Sequence, residues 1–218
     1  MVKAAAYYCH SLNDPKIFSE VYHLVSRQRQ EHVDESHIMK TRCERLGASH
    51  LLEKLLWENH IARPYEYGKT SQGKPILTSH DNVYFSISHS GGIAVVAIGD
   101  KPVGIDIEKI DIYKRNIAER FFTKNDLQYL DSLDYHDQPR KFTEVWSFKE
   151  AMCKMMDRPL TQVMQWIDFH EYCDGSHGKL NWTKQGYEYG EYYITLCYEG
   201  GLENVQMKMY DPLEGKYY

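Results

Sequence analysis

The chain has 218 residues, 42% of them apolar and 13% aromatic, and a formal net charge of -5. That is enough apolar material for one sizeable core or two small packed lobes, and it excludes a disordered or fibrous class. Charges of both signs run along the whole length, without the basic excess of a dedicated nucleic-acid or membrane-surface binder.

The five cysteines, Cys9, Cys43, Cys153, Cys173 and Cys197, are scattered with no CxxC spacing. An odd, widely spaced set reads as reduced thiols used for packing. Met1 to Ser11 lacks the apolar stretch of a secretory signal or anchor, and no window is long enough to span a bilayer. The expectation is a soluble cytoplasmic protein.

Lys3 to Tyr8 reads as a first strand. From about Ser36 to His60, Leu51, Leu52, Leu55 and Leu56 recur at helical spacing, which predicts a long helix ending before Arg63-Pro64. The Gly- and Lys-rich run between Tyr67 and Ile76 reads as loop. Two apolar runs follow, VYFSIS and IAVVAIG, separated by His89-Ser90-Gly91-Gly92, the pattern of antiparallel strands joined by a tight turn. In VGIDIE, Val103, Ile105 and Ile107 alternate with Gly104, Asp106 and Glu108, so a strand here places both carboxylates on one face.

A helical stretch comes next, broken at Thr123-Lys-Asn-Asp126, which resembles a capping box with Asp in place of the usual Glu. A second long helix is predicted from about Pro139 to Asp157, stopping by Arg158-Pro159. WIDFHEYC, EYYITLCY and VQMKMY, with a Gly-rich turn near Gly175, read as antiparallel strands. Hairpins mixed with two or three helices, without regular strand-helix-strand alternation, give the fold class α+β.

Asp106 and Glu108 at i and i+2, preceded by a glycine that leaves room for a ligand, form a plausible hard-oxygen site for Mg²⁺. The same pattern also describes any half-exposed strand with an acidic outer face. Glu150 and Lys154 in WSFKEAMCKM lie one helical turn apart and can point into one cleft, carboxylate toward a metal and ammonium toward a phosphate. An ordinary surface pair has that spacing too. Ser88, His89, Ser90 and the exposed amides of Gly91 and Gly92 offer a cradle for phosphate, and Lys74, followed by Pro75, is a further candidate contact, as is Arg45. No GxSxG, HExxH or GxxxxGK[ST] is present, which leaves serine hydrolases, zinc proteases and P-loop nucleotidases unsupported.

Taken together, GKPIL, FSISHS, VGIDIE, ERFFT and WSFKEAMCKM, in that order between about Arg45 and Lys154, resemble the signature of the 4′-phosphopantetheinyl transferase superfamily. The length resembles its longer, surfactin-synthetase-activating branch. The resemblance implies transfer of the phosphopantetheine group from coenzyme A to a serine of an apo-acyl or apo-peptidyl carrier protein, with release of 3′,5′-ADP. It implies a Mg²⁺ ion (or Mn²⁺) on Asp106, Glu108 and Glu150. Lys154 would meet the pyrophosphate, while Arg45, Lys74, Pro75, Ser88 and His89 would hold the nucleotide end; Arg42, one turn from Arg45, could serve in its place. Glu150, or a water that it orients on the metal, would accept the serine proton.

For the fold, the resemblance implies two similar lobes in pseudo-twofold arrangement, each with antiparallel strands packed on a long helix. They would span residues 1–100 for nucleotide contacts and 101–218 for the metal site, with coenzyme A in the cleft of a monomer that binds neither nucleic acid nor membrane. A metal-dependent phosphohydrolase and a non-catalytic carrier-binding module are the competing readings. Asp126 departs from the Glu often found after the Phe-Phe stretch, and the C-terminal strands match no family motif.

Overall fold

Val2–Tyr8 (β1) is the strand around which the first part of the chain is arranged in the computed structural model, which describes residues 1–169, 182–200 and 205–211. Its Ala4, Ala5, Ala6 and Tyr7 are buried. Tyr84–Ser90 (β4) and Ile93–Gly99 (β5) form a hairpin, β1 pairs antiparallel with β5, and Met207–Tyr210 (β9) pairs with the other edge of β1, giving the order β4-β5-β1-β9. The fold is α+β, and the chain divides into two compact units, Met1–Asp100 with the segment from Val205 onward, and Lys101–Asn204.

In the first unit Met39–Glu58 (α3) packs on this sheet. Leu46, Leu51, Leu52, Leu55 and Leu56 are buried, so the helix expected from the leucine spacing is present, starting three residues late. Two shorter helices, Pro15–Tyr22 (α1) and Arg27–Asp34 (α2), were not foreseen. The signal for α1 was there, because Asp14 accepts from the amides of Lys16 and Ile17 at 2.8 and 3.2 Å and Pro15 occupies the first turn. The Tyr67–Ile76 loop is in fact a small hairpin, Tyr67–Lys69 (β2) with Pro75–Leu77 (β3). Its strands, of three residues each, are too short to show a period.

The turn between β4 and β5 is also tighter than expected. His89 and Ser90 are strand residues paired with Ala94 and Ile93, and only Gly91 and Gly92 turn, with φ of 60° and 86°. Positive φ at two successive positions is what a two-residue hairpin of type I′ demands, and glycine adopts it without strain.

The second unit holds Val103–Lys109 (β6), Trp182–Tyr189 (β7) and Tyr192–Glu199 (β8), antiparallel in the order β6-β8-β7. Gln138–Met156 (α6) packs on β6 and β8, joined by Arg115–Phe121 (α4), Lys124–Ser132 (α5) and Leu160–Trp166 (α7). Both bonds of the expected capping box at Thr123 and Asp126 are made. Two readings of the tail change. Trp166 ends α7, and Ile167 and Phe169 are buried core residues rather than strand, while His170–Cys173 lie outside the described residues. β9 is parallel to β1, and so belongs to the first unit rather than to a second lobe running to 218; alternation of period two carries no strand direction. No helix among the described residues is long and apolar enough to cross a membrane. Cys9, Cys43, Cys153 and Cys197 are buried free thiols; Cys173 lies outside the described residues.

One polar pair holds the helices of the second unit. Lys149, fully buried on α6, forms an ion pair with the equally buried Asp126 of α5, and its ammonium also donates to the Met164 carbonyl of α7 at 2.6 Å. Asp126 in turn accepts from the Phe169 amide at 2.8 Å while it caps α5. Burial pushes the lysine pKa down, and Asp126 opposes this. Removing one partner leaves a buried charge uncompensated, so Lys149→Met should cost ~3–5 kcal/mol in denaturant unfolding. Adding Asp126→Asn, which keeps the capping oxygen without the charge, should recover part of the loss.

Candidate active site

The acidic site is built where β6 meets α6. Along β6, Gly104, Asp106 and Glu108 share a face by alternation, and Asp106 and Glu108 sit opposite Thr195 and Tyr193 of β8. At Gly104 the helix touches the strand directly. A Cβ added there would stand 1.9 Å from the Ala151 carbonyl oxygen and 2.6 Å from the Met155 amide nitrogen. The space left by this glycine is therefore filled by the backbone of α6, not by a ligand as the sequence suggested. That close approach brings Glu150 and Lys154, flanking Ala151, over the strand's carboxylates. The Lys154 ammonium is 2.6 Å from Asp106 Oδ1 and 3.9 Å from Glu150 Oε2.

Asp106 is 1% exposed. Burial, with Asp106 and Glu150 nearby, pushes the Glu108 carboxyl up to about 7; Lys154 and a hydrogen bond from Trp146 act in the other direction. Burial and Asp106 likewise raise Glu150. Thus the three predicted carboxylates and Lys154 occupy one electrostatically coupled site, with the ammonium resting against Asp106. Among the described residues no three acidic, His or Cys side chains are already drawn around one point as metal ligands. The donor set itself suits a hard divalent cation, for these are carboxylate oxygens whose crowding favours protonation until positive charge is supplied.

Trp146 escaped the sequence reading, as did Ser147, whose hydroxyl is 2.7 Å from the Thr195 hydroxyl beside Asp106. Both lie inside WSFKE, where helical spacing gives each successive residue a different face. A pocket of about 240 Å³ adjoins the site, lined by Glu108 and Trp146 with Lys109, Lys114, Ile112 and Phe142 at its walls and rim.

The remaining candidates belong to the first unit. Ser88 and His89 lie near the end of β4, and Lys74 and Pro75 at the β2–β3 turn, where the Lys74 amide donates to Thr70 Oγ1 at 3.1 Å. The Gly92 amide is not open, because it donates to Glu44 Oε1 at 2.8 Å, and Glu44 Oε2 is 3.2 Å from His89 Nδ1. Glu44 of α3 was not foreseen; a buried carboxylate mid-helix gives no periodic signal. Arg45 donates to the His32 carbonyl at 2.7 Å and to Glu35 at 3.2 Å, and Arg42 to Asp34 at 2.7 Å, so both arginines tie α3 to α2 and the segment just after it.

The chain is thus an α+β protein in which a strand and a helix gather three carboxylates and a lysine into one site. The family model described as the 4′-phosphopantetheinyl transferase superfamily matches residues 102–197. Over 134 residues the chain is 34% identical to the 4′-phosphopantetheinyl transferase ffp of Bacillus subtilis, covering 57% of this chain and 59% of that protein. It is 32% identical over 132 residues to the 4′-phosphopantetheinyl transferase Sfp of Bacillus subtilis (strain 168), again 57% and 59%. A further 4′-phosphopantetheinyl transferase of Bacillus subtilis is 30% identical over 158 residues, 67% of this chain and 70% of that protein. The chain belongs to the 4′-phosphopantetheinyl transferase superfamily, on its surfactin-synthetase-activating side; the match spans 59% of the length of the first two relatives.

Two outcomes follow from the geometry. Gly104→Ala should destabilise the second unit by ~1–3 kcal/mol or more. Adding Ala151→Gly should give no rescue in denaturant unfolding, because the atoms met are backbone. In metal-free protein the raised Glu108 carboxyl lowers stability as pH climbs from its ordinary range through about 7, since the unfolded chain ionises first. Glu108→Gln should therefore raise the thermal midpoint at pH 8 in chelator and leave it unchanged at pH 4.

Proposed function

We propose that this chain transfers the 4′-phosphopantetheine group of coenzyme A to a serine hydroxyl of an apo-acyl or apo-peptidyl carrier protein. The observation that carries this reading is the meeting of Asp106 and Glu108 from β6 with Glu150 and Lys154 from α6 in a single site. In the reaction the serine oxygen bonds to the β-phosphorus, the bond to the departing 3′,5′-ADP breaks, and the serine proton passes to Glu150. Its raised proton affinity suits that role.

Asp106, Glu108 and Glu150 would hold Mg²⁺, or Mn²⁺ in its stead. When bound, the ion supplies positive charge that lets a diphosphate approach an acidic site and steadies the transferring group. Lys154 adds a point charge to the same diphosphate. Lys74, Pro75, Ser88 and His89, with Arg45 or Arg42, would hold the nucleotide end, so that the first unit binds the nucleotide and the second carries the chemistry. With both sets on one chain, a monomer is sufficient. Carrier proteins are usually acidic, and Lys109 and Lys114 beside the exposed Ile112 offer a local docking patch next to Glu108 on a protein of net negative charge.

The test is incubation with coenzyme A, Mg²⁺ and a panel of apo-carriers, read by mass spectrometry. The expected result is a mass gain of one phosphopantetheine, with 3′,5′-ADP formed only when carrier is present and no turnover in chelator. Glu150→Gln should lower kcat by ~10²–10⁴-fold while coenzyme A still binds. Release of 3′,5′-ADP without carrier would make the protein a phosphohydrolase instead, and coenzyme A binding without turnover on any carrier would leave a carrier-binding module.

A further inference from the structure

The first unit contains a second cavity, of about 280 Å³, which the proposed reaction does not use. It lies beside the C-terminal half of α3, with His50, Glu53, Lys54 and Trp57 on that helix, Leu24 and its neighbour His23 from the α1–α2 connection, and Arg63 beyond the helix end. The pocket adjoins β1 and β9, away from Ser88 and His89 among the nucleotide candidates. His50 Nδ1 is 3.1 Å from the Tyr7 hydroxyl on β1, and Lys54 stacks over the Tyr210 ring of β9 at 4.8 Å. Ser88 and His89 are on β4, at the opposite edge of the order β4-β5-β1-β9. Three strand spacings amount to ~14 Å.

The chemistry of the walls selects a ligand class. Trp57 and Leu24 are 54% and 46% exposed, large apolar side chains at the mouth, which suit a flat apolar body. The polar groups behind them are mainly donors. Lys54 brings an ammonium with three N–H groups, held in place by Glu58 at 3.4 Å, and Arg63 brings a guanidinium. The carboxylate, Glu53, is already engaged: it accepts from the Ser26 amide at 3.1 Å and from the Tyr67 hydroxyl at 3.3 Å, with Arg63 at 3.7 Å. Being 3% exposed and so occupied, Glu53 offers a ligand little acceptor capacity. Burial, aided by Lys54, pushes the His50 ring down to about 4, so it is neutral at physiological pH and the cations of the pocket are Lys54 and Arg63. A ligand that matches brings acceptors for the donors of Lys54 and Arg63, and a carboxylate does so with a charge opposite to theirs. The volume is just below the ~300–1,000 Å³ of ordinary ligand pockets, which limits it to one or two rings.

We propose that the cavity between Leu24, Lys54 and Trp57 is a binding site for a small aromatic carboxylate, separate from the coenzyme A residues. A carboxylate seated on Lys54 with its ring against Trp57 would pin the α1–α2 connection to α3. Its neighbour α2 receives the side chains of Arg42 and Arg45, so occupancy would stiffen the segment that holds the proposed nucleotide arginines.

The test uses 2-naphthoate as probe on the full chain, with affinity read by calorimetry and by saturation-transfer NMR. Saturable binding is expected, weakened at least tenfold when the neutral 2-naphthalenemethanol replaces the acid, and retained in saturating coenzyme A. Lys54→Met should weaken it at least tenfold; Leu24→Asp, at an exposed position on the mouth, should do the same without disturbing the interior. Absence of saturable binding to the native chain, equal affinity for the alcohol, or indifference to both substitutions would each overturn the proposal. Displacement by coenzyme A would place the probe in the substrate site and also overturn it, whereas failure of the transferase assay alone would leave this site untouched.

Discussion

At Gly104 a strand and a helix meet backbone to backbone, and the arrangement of the acidic site follows from that contact. Any side chain at this position would collide with the Ala151 carbonyl and the Met155 amide. Without it the helix lies close enough for a lysine one turn beyond Glu150 to reach Asp106 at 2.6 Å. Long side chains could bridge a wider gap, but they would carry the charges apart and expose them to water, where a lysine-carboxylate pair contributes little. The glycine is thus a packing residue whose effect is electrostatic: it sets how much negative charge gathers in a small, largely buried volume.

The five residues Trp146 to Glu150 show how a fully surrounded helix divides its tasks. Trp146 hydrogen-bonds toward the carboxylates, Ser147 reaches Thr195 on β8, and Phe148 is buried in the core. Lys149 pairs with Asp126, and Glu150 completes the acidic group. Successive residues on a helix are rotated by ~100°, so five in a row address every side. Rotation of α6 about its axis is opposed on several faces at once. The buried lysine in particular has to keep its carboxylate, since an isolated charge in such a place is far more costly than the pair. The orientation of Glu150 and Lys154 is therefore settled by neighbours that take no part in the chemistry.

What the sequence made legible was the part governed by period and by local chemistry. The alternation of VGIDIE placed Asp106 and Glu108 on one face, the leucines marked α3, and Thr123 with Asp126 announced the start of α5. What it hid was the outcome of packing. The reason for Gly104 is an opposing backbone, the partner of Asp126 is a lysine 23 positions later, and the Gly92 amide is taken by Glu44 from a distant helix. None of these has a period to detect. Asp14-Pro15 is different, a legible helix start that went unread. The direction of β9 could not be read at all, because a short strand looks the same whichever way its neighbour runs.

That last strand bears on how the protein is made. On a ribosome β1, β4 and β5 emerge before the second unit, yet β9 is added only after the whole of that unit has been synthesised. Until then the flank of β1 that awaits it carries backbone donors and acceptors with no strand beside them, the kind of surface that recruits stray chains. The nascent protein therefore passes through an interval in which one flank of β1 is its most vulnerable edge, and its release from that state depends on a segment translated after the second unit.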